Sequence, residues 1–284
     1  MNQGLQPATP VAVRDAPIGV FDSGIGGLSV LKYIRSLLPH EDLLYFADSG
    51  HAPYGGRSEE EIVARSLGIA EFLLQQGAKA LVVACNTATA AAIRALRERW
   101  PALIIVGVEP GLKPAAAKSR NGVVGVMATR GTLASARFAA LREQLERSTG
   151  VRYLPQPCVG LADQVEKGEL HSAETAILLR RYLVPLVEQG ADTLVLGCTH
   201  YPFLLPLIEE ILARLTPRGM SIVDTGEPVA RQLARLLEER GLLRQAAGTG
   251  GEVRAFTTGS GSSLATAFSR LLGMEPPVTA ISTQ

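Results

Sequence analysis

Two cysteines occupy the same place in two copies of one twelve-residue pattern. Gln76-Gly77-Ala78-Lys79-Ala80-Leu81-Val82-Val83-Ala84-Cys85-Asn86-Thr87 returns 113 residues later as Gln189-Gly190-Ala191-Asp192-Thr193-Leu194-Val195-Leu196-Gly197-Cys198-Thr199-His200. Each copy ends an apolar run on a thiol followed by small polar residues. A thiol placed between a strand and a following helix meets unpaired backbone N–H groups, which favour the thiolate and lower its pKa from about 8.5. Such a group can act as base or nucleophile. Two equivalent half-sites suit a reaction that needs a similar reactive group on opposite sides of one substrate. The alternative is a pair of ordinary packed cysteines, since free cysteine is among the most buried residue types. Cys158, in Pro155-Gln156-Pro157-Cys158, lies outside any repeat and reads as such a packed thiol.

Other residues beside these thiols could hold a small zwitterion. Asp22-Ser23-Gly24 follows an apolar strand; a carboxylate there repels phosphate and suits an ammonium group, or else caps the next helix. His200 could move a proton or orient a carboxylate, or be a satisfied structural histidine. Ser23, Asn86, Thr87 and Thr199 offer donors and acceptors for a substrate carboxylate, or serve as helix caps. Tyr54-Gly55 is either a substrate-facing segment or only a turn. Asp48, Glu109, Glu166 and Asp224 are acids that either hydrogen-bond a catalytic group or sit on loops.

The elements that must carry these residues alternate. Strands are expected at 18–21, 43–46, 80–84 and 103–108, and helices at 28–38, 58–76 and 89–99, with Ser58 and Glu61 as a capping box and Gly77 ending the second helix. The order then repeats: a strand at 123–127, a polar loop at 128–132, helices at 135–147 and 173–189 (the latter kinked by Pro185), the Cys198 strand, a helix at 203–215 and a strand at 221–223. Helices of ten or more residues between apolar strands imply parallel sheets covered on both faces. The fold class is therefore α/β, with two similar Rossmann-like domains related by pseudo-twofold symmetry and the active site between them. The first domain is expected at 1–112 plus 225–284, whose helices and 253–256 strand return to it, and the second at 113–224. Gly248 to Gly251 reads as a flexible connection, and the tail after Leu272 as having little regular structure.

Bulk properties narrow the partner. The 284 residues, 46% hydrophobic, can build two cores, and Lys+Arg 28 against Asp+Glu 27 leaves a net charge of +1, with no basic field for nucleic acid or anionic membrane. A small-molecule substrate is the expectation. No apolar run reaches the roughly 18 residues of a membrane span, and the start lacks a signal-peptide pattern, which points to the cytoplasm. Three scattered cysteines there are free thiols rather than a disulfide framework. With no CxxC and four histidines out of pattern, no metal site is expected.

Taken together, Asp22-Ser23-Gly24-Ile25-Gly26-Gly27, Pro53-Tyr54-Gly55, Cys85-Asn86-Thr87-Ala88 and Gly197-Cys198-Thr199-His200-Tyr201-Pro202 resemble the glutamate racemases of the aspartate/glutamate racemase superfamily. The likeness runs from Ile18 to Gly259, and the four motifs in this order are specific where each alone is weak. It implies a cofactor-independent isomerase that interconverts L- and D-glutamate, supplying the D-isomer for peptidoglycan; a homodimer is compatible with it. It also implies that Cys85 and Cys198 are the acid/base pair, assisted by Asp22 and His200. Asp22, Ser23, Tyr54, Gly55, Asn86, Thr87, Thr199 and His200 then line the glutamate site, with Asp48 and Glu166 as auxiliaries. Ser260 departs from the aspartate common after Thr-Thr-Gly, and the tail from Gly273 matches no motif. Two classes of rival remain. One keeps the fold as an aspartate or hydantoin racemase or a one-cysteine decarboxylase; the other is a non-catalytic two-lobed amino-acid binder.

Overall fold

Ile-Gly-Val-Phe-Asp at Ile18–Asp22 (β1) is buried at every position, so the strand shows no polar–apolar alternation and must lie inside a sheet covered on both faces. In this computed structural model, which describes residues 13–245 and 250–281, it is followed by Leu28–Leu37 (α1), Leu43–Ala47 (β2), Glu59–Gln75 (α2), Ala80–Val83 (β3), Asn86–Arg99 (α3) and Ile104–Gly107 (β4). Leu112–Lys118 (α4) then leads to Val123–Ala128 (β5), Arg130–Ala134 (α5), Ala136–Thr149 (α6), Arg152–Pro157 (β6) and Leu161–Glu166 (α7). Ala173–Glu188 (α8), Thr193–Gly197 (β7), Leu205–Leu215 (α9) and Ser221–Val223 (β8) follow, and the chain continues through Gly226–Glu239 (α10), Val253–Thr257 (β9), Gly261–Leu272 (α11) and Val278–Ala280 (β10).

Among the described residues the strands form two sheets. One has the order β10-β9-β2-β1-β3-β4 and the other β6-β5-β7-β8, and every pairing is parallel. The run β2-β1-β3-β4 has the same connectivity as β6-β5-β7-β8, so the repeated peptide is the visible part of a repeated topology. In both, the chain leaves the central strand to one side and returns to the other. The crevice at the carboxyl end of such a reversal is where open α/β sheets bind ligands. Asp22 and Cys85 stand at that crevice in the first sheet, Thr129 and Cys198 in the second.

Glycine explains why the repeat begins as it does. Gly77 (φ +89°) and Gly190 (φ +83°) both take the left-handed conformation directly after α2 and α8, which a side chain would resist. The chain reverses there and enters β3 or β7. The helix starts are equally local. Ser58, Ser172 and Ser260 each accept a hydrogen bond from the backbone three residues on, at 3.2, 3.2 and 3.3 Å. Ser260 thus does what an aspartate would do at the head of α11. Of the expected capping box only the Ser58 half forms, because the Glu61 carboxylate pairs with Arg57 instead.

Several elements differ from expectation. The stretch 128–132 is not a loop throughout: Thr129 caps the short α5, its hydroxyl accepting from Thr132 N–H at 3.2 Å. Helix α3 starts at Asn86 rather than Thr89, since the Asn-Thr-Ala-Thr opening has no apolar period to announce it. The 48–55 segment contains two single 3₁₀ turns, Ser49–His51 and Tyr54–Gly56. The tail is more ordered than its composition suggests, as β10 pairs with β9 at the sheet edge. Strand β6 carries Pro155 and Pro157, tolerated because it too is an edge strand. Pro185 lies within α8, and the expected connection at Gly248 falls partly outside the described residues.

A single apolar cluster spans both lobes. Leu28, Leu31 and Ile34 of α1 and Leu233 and Leu237 of α10 belong to it together with Leu161, Leu196, Tyr201 and Leu204. No helix among the described residues is long and apolar enough to cross a membrane.

Candidate active site

Cys85 is the N-cap of α3. Its sulfur accepts from Ala88 N–H at 3.5 Å and lies 3.7 Å from Ser23 Oγ, while Ser23 in turn donates to Asp22 Oδ1 at 3.4 Å. Cys198 follows β7, with its sulfur 3.6 Å from His200 Nδ1. The other imidazole nitrogen, Nε2, is 2.7 Å from Glu166 Oε1, which also accepts from Ile25 N–H at 2.9 Å. Both thiols are buried, Cys85 at 5% and Cys198 at 6% exposure.

The two sulfurs have different electrical surroundings. Burial pushes the Cys85 thiol well above its ordinary range, and the Asp22 carboxylate adds to that; the Ala88 N–H bond opposes both and loses. The lowering expected from the helix N-terminus is therefore outweighed at Cys85, because burial removes water from the thiolate and an acid stands beside it. Asp22 itself is raised by burial, against the pull of His200 and of its bonds to Cys85 and to Gly27 N–H (2.6 Å). On the other side, burial works against a charged His200, yet its contacts with Cys198 and Glu166 prevail and hold it well above the usual imidazole range. Glu166 is correspondingly held low by His200 and Ile25 N–H despite burial. One half of the site is an acid beside a thiol; the other is an imidazolium between a thiol and a carboxylate.

The lobes meet closely on both sides of the thiols. A methyl group on Gly24 would stand 1.9 Å from Glu166 Oε1, and one on Gly26 would stand 2.4 Å from His200 Nδ1. Ser29 donates to Thr199 O at 2.8 Å on the same flank. On the Cys85 flank, Thr87 Oγ1 is 2.9 Å from Thr129 Oγ1 and 3.3 Å from Thr132 Oγ1, and a methyl group on Gly55 would meet Thr129 Cβ at 3.1 Å. Asn86 is 4% exposed, and neither polar atom of its side chain has a partner among the described residues. Leaving such an amide unpaired costs about 1–3 kcal/mol, a cost that a ligand bonding to it would offset.

Asp22, Ser23, Tyr54, Gly55, Asn86, Thr87, Thr199 and His200 are thus brought around the two thiols. Asp22 is not the N-cap of α1, a position Gly27 holds with no side-chain cap, although the Asp22 carboxylate accepts from Gly27 N–H. Glu109 is elsewhere, paired with Arg137, and Asp224 accepts from Gly226 N–H at 3.1 Å at the start of α10. Cys158 is packed and protonated, its thiol donating to Gln156 O at 3.3 Å and raised by burial. The sequence carries no signal for the close approaches at Gly24 and Gly26, whereas the strand-end position of Thr129 places its loop among those expected to face the ligand. No group of three potential metal ligands occurs among the described residues.

Fold and site define a two-lobed α/β protein with one thiol at a strand end in each lobe. The sequence pattern of the Asp/Glu/Hydantoin racemase family matches residues 23–233. The chain belongs to that family. It is 57% identical over 233 residues to a glutamate racemase of Pseudomonas paraeruginosa, covering 82% of this chain and 86% of that one. Among solved structures, a glutamate racemase isoform of Bacillus anthracis superposes with a TM-score of 0.84 at 36% identity, over 95% of this chain and 98% of that one. A glutamate racemase of Francisella tularensis in complex with D-glutamate superposes with a TM-score of 0.81 at 29% identity, over the same shares.

Proposed function

We propose that this protein interconverts L- and D-glutamate without a cofactor, using Cys85 and Cys198 as two bases on opposite faces of Cα, and that its product serves peptidoglycan synthesis. The placement of one thiol at the strand end of each lobe, Cys85 beside Ser23 and Asp22 and Cys198 beside His200, supports this reading most directly. A racemase must hold one catalytic group deprotonated and the other protonated at the start of each turnover.

In the L to D direction, Cys198 as thiolate removes the Cα proton, and the electron pair of the broken C–H bond is left on Cα. Cys85 as thiol then gives its proton to the opposite face, ending as thiolate while Cys198 ends as thiol. Exchange with solvent resets the pair, and the reverse direction exchanges their roles. His200 Nδ1, 3.6 Å from the Cys198 sulfur, is placed to exchange a proton with it. Burial and Asp22 keep Cys85 protonated until it is needed. Asp22 takes the substrate ammonium group, and Ser23, Asn86, Thr87 and Thr199 take its carboxylates, stabilising the charge that moves onto the α-carboxylate. The unpaired Asn86 amide supports a polar ligand at this point. Tyr54 and Gly55 form the outer wall. The same reading divides the chain at 1–112 plus 225–284 and 113–224, a division that sheet membership supports.

L-Glutamate turned over in D₂O should give D-glutamate labelled at Cα while recovered L-glutamate carries little label early on. Equal early labelling of both isomers would point to a single base, and faster turnover of aspartate than glutamate would move the protein to another branch of the family. Binding of glutamate with no exchange at Cα would favour a binding protein.

A further inference from the structure

The Asp48 carboxylate, expected as an auxiliary to the thiols, is fully used elsewhere. Its side chain is 0% exposed and receives hydrogen bonds from three separate parts of the first lobe. Tyr54 donates to Oδ2 at 2.5 Å, Arg65 of α2 binds both oxygens with its Nε and, at 2.7 Å, its terminal nitrogen, and Thr258 donates to Oδ1 at 2.7 Å. His51 Nδ1 completes the ring at 3.1 Å. Burial alone would neutralise this acid, but Arg65, Tyr54 and Thr258 hold it below the usual carboxylate range. A two-pronged guanidinium–carboxylate pair has little rotational freedom.

That fixed carboxylate ends on a segment of the proposed site. Tyr54 opens the single turn Tyr54–Gly56, whose Gly55 abuts Thr129 of the second lobe, and Thr129 bonds Thr87 two residues beyond Cys85. We propose that Arg65, aided by Thr258, is a positioning residue that sets the Tyr54–Gly56 turn against the Cys85 half of the site, acting through Asp48. The proposal rests on the substrate-facing role given to Tyr54 above. Thr258 directly follows β9, so the returning C-terminal segment takes part in shaping the substrate wall.

A double-mutant cycle tests it. Arg65→Leu, Tyr54→Phe and the double variant are compared for KM and kcat with each glutamate isomer, with thermal unfolding recorded for all. Arg65→Leu is expected to raise KM roughly 10- to 100-fold, as for a lost hydrogen bond to a charged group, and to lower kcat less. The double variant should be no worse than Tyr54→Phe alone, and Arg65→Lys should recover part of the loss. Thr258→Val should move KM the same way by a smaller step, and it carries the cycle with Tyr54→Phe if Arg65→Leu does not fold. Strictly additive losses, or an unchanged KM in a folded Arg65→Leu protein, would overturn the proposal. A substrate-free readout separates this from the glutamate reading. Labelling with 3-fluorotyrosine gives Tyr54 a ¹⁹F resonance, identified by its loss in Tyr54→Phe, that should shift or broaden in Arg65→Leu or Thr258→Val. If the unsubstituted protein failed to racemise glutamate, that reading would fall; an unchanged resonance would overturn the positioning role.

Discussion

Glu166→Gln isolates the charge of the His200 partner while keeping its shape. In the protein as it stands, Glu166 Oε1 serves both His200 Nε2 at 2.7 Å and Ile25 N–H at 2.9 Å. A glutamine oxygen can keep the second bond but cannot supply the carboxylate charge that, next to the contact with Cys198, holds His200 above the usual imidazole range. A hydrogen bond between charged groups contributes about 1.5–3 kcal/mol, and a factor of ten in rate is about 1.4 kcal/mol, so L to D turnover should fall roughly 10- to 100-fold. The sign of the pH effect follows from the two shifts. His200 is raised, so its contribution to stability is complete below the unfolded imidazole value of about 6.5 and disappears as pH rises through the folded value. Glu166 is lowered, so its contribution is present above the unfolded carboxylate value and is lost as pH falls through the folded one. Removing the carboxylate lets His200 fall back, and the alkaline limb of the L to D profile should move to lower pH. Circular dichroism of each glutamate isomer across the pH range, with thermal unfolding alongside, measures both. A variant with the same alkaline limb and near-normal turnover would refute the coupling of Glu166 to Cys198 through His200.

Three further outcomes are expected. Cys85→Ala and Cys198→Ala should each abolish racemisation with little change in unfolding temperature, and near-normal activity in either variant would remove the two-base assignment. Gly24→Ala should reduce turnover strongly, because its new methyl would meet the Glu166 carboxylate at 1.9 Å and hold the lobes apart; small-angle scattering should show a more open particle, and an unchanged profile with full activity would contradict this. Lys79→Met should cost about 3–5 kcal/mol in chemical denaturation, since Lys79 and Glu41 form a buried pair at 2.5 Å and Lys79 also donates to Arg14 O and Leu242 O. A loss under about 1 kcal/mol would mean that the fold relaxes around Glu41.

Much of this site was legible because its residues sit at strand ends. A continuous apolar run marks a buried parallel strand, and the next polar residue marks the crevice, which is how Asp22, Cys85 and Cys198 stand out. The repeated Gln-Gly-Ala was equally readable, since the left-handed turn after α2 and α8 constrains residue type. Other features carry no local signal. Arg65 lies on an ordinary helical face, and only the fold brings it to Asp48, 17 residues earlier. The balance at Cys85 was misjudged for a similar reason: the helix N-terminus is local, whereas burial and the neighbouring Asp22 arise from packing. Strand β10 escaped notice because two exposed residues among its three leave no apolar pattern.

The return of the chain to its first sheet sets the order in which the molecule can be assembled during synthesis. Strand β9 pairs with β2 across more than two hundred residues, Leu43 opposite Val253 through Ala47 opposite Thr257. The four strands of the second sheet are contiguous, from Val123 to Val223, and can close on one another while the first sheet still lacks its last two members. Until β9 arrives, Asp48 has no Thr258 and the outer edge of β2 is unpaired. The nascent chain therefore carries both thiols well before its first sheet is complete.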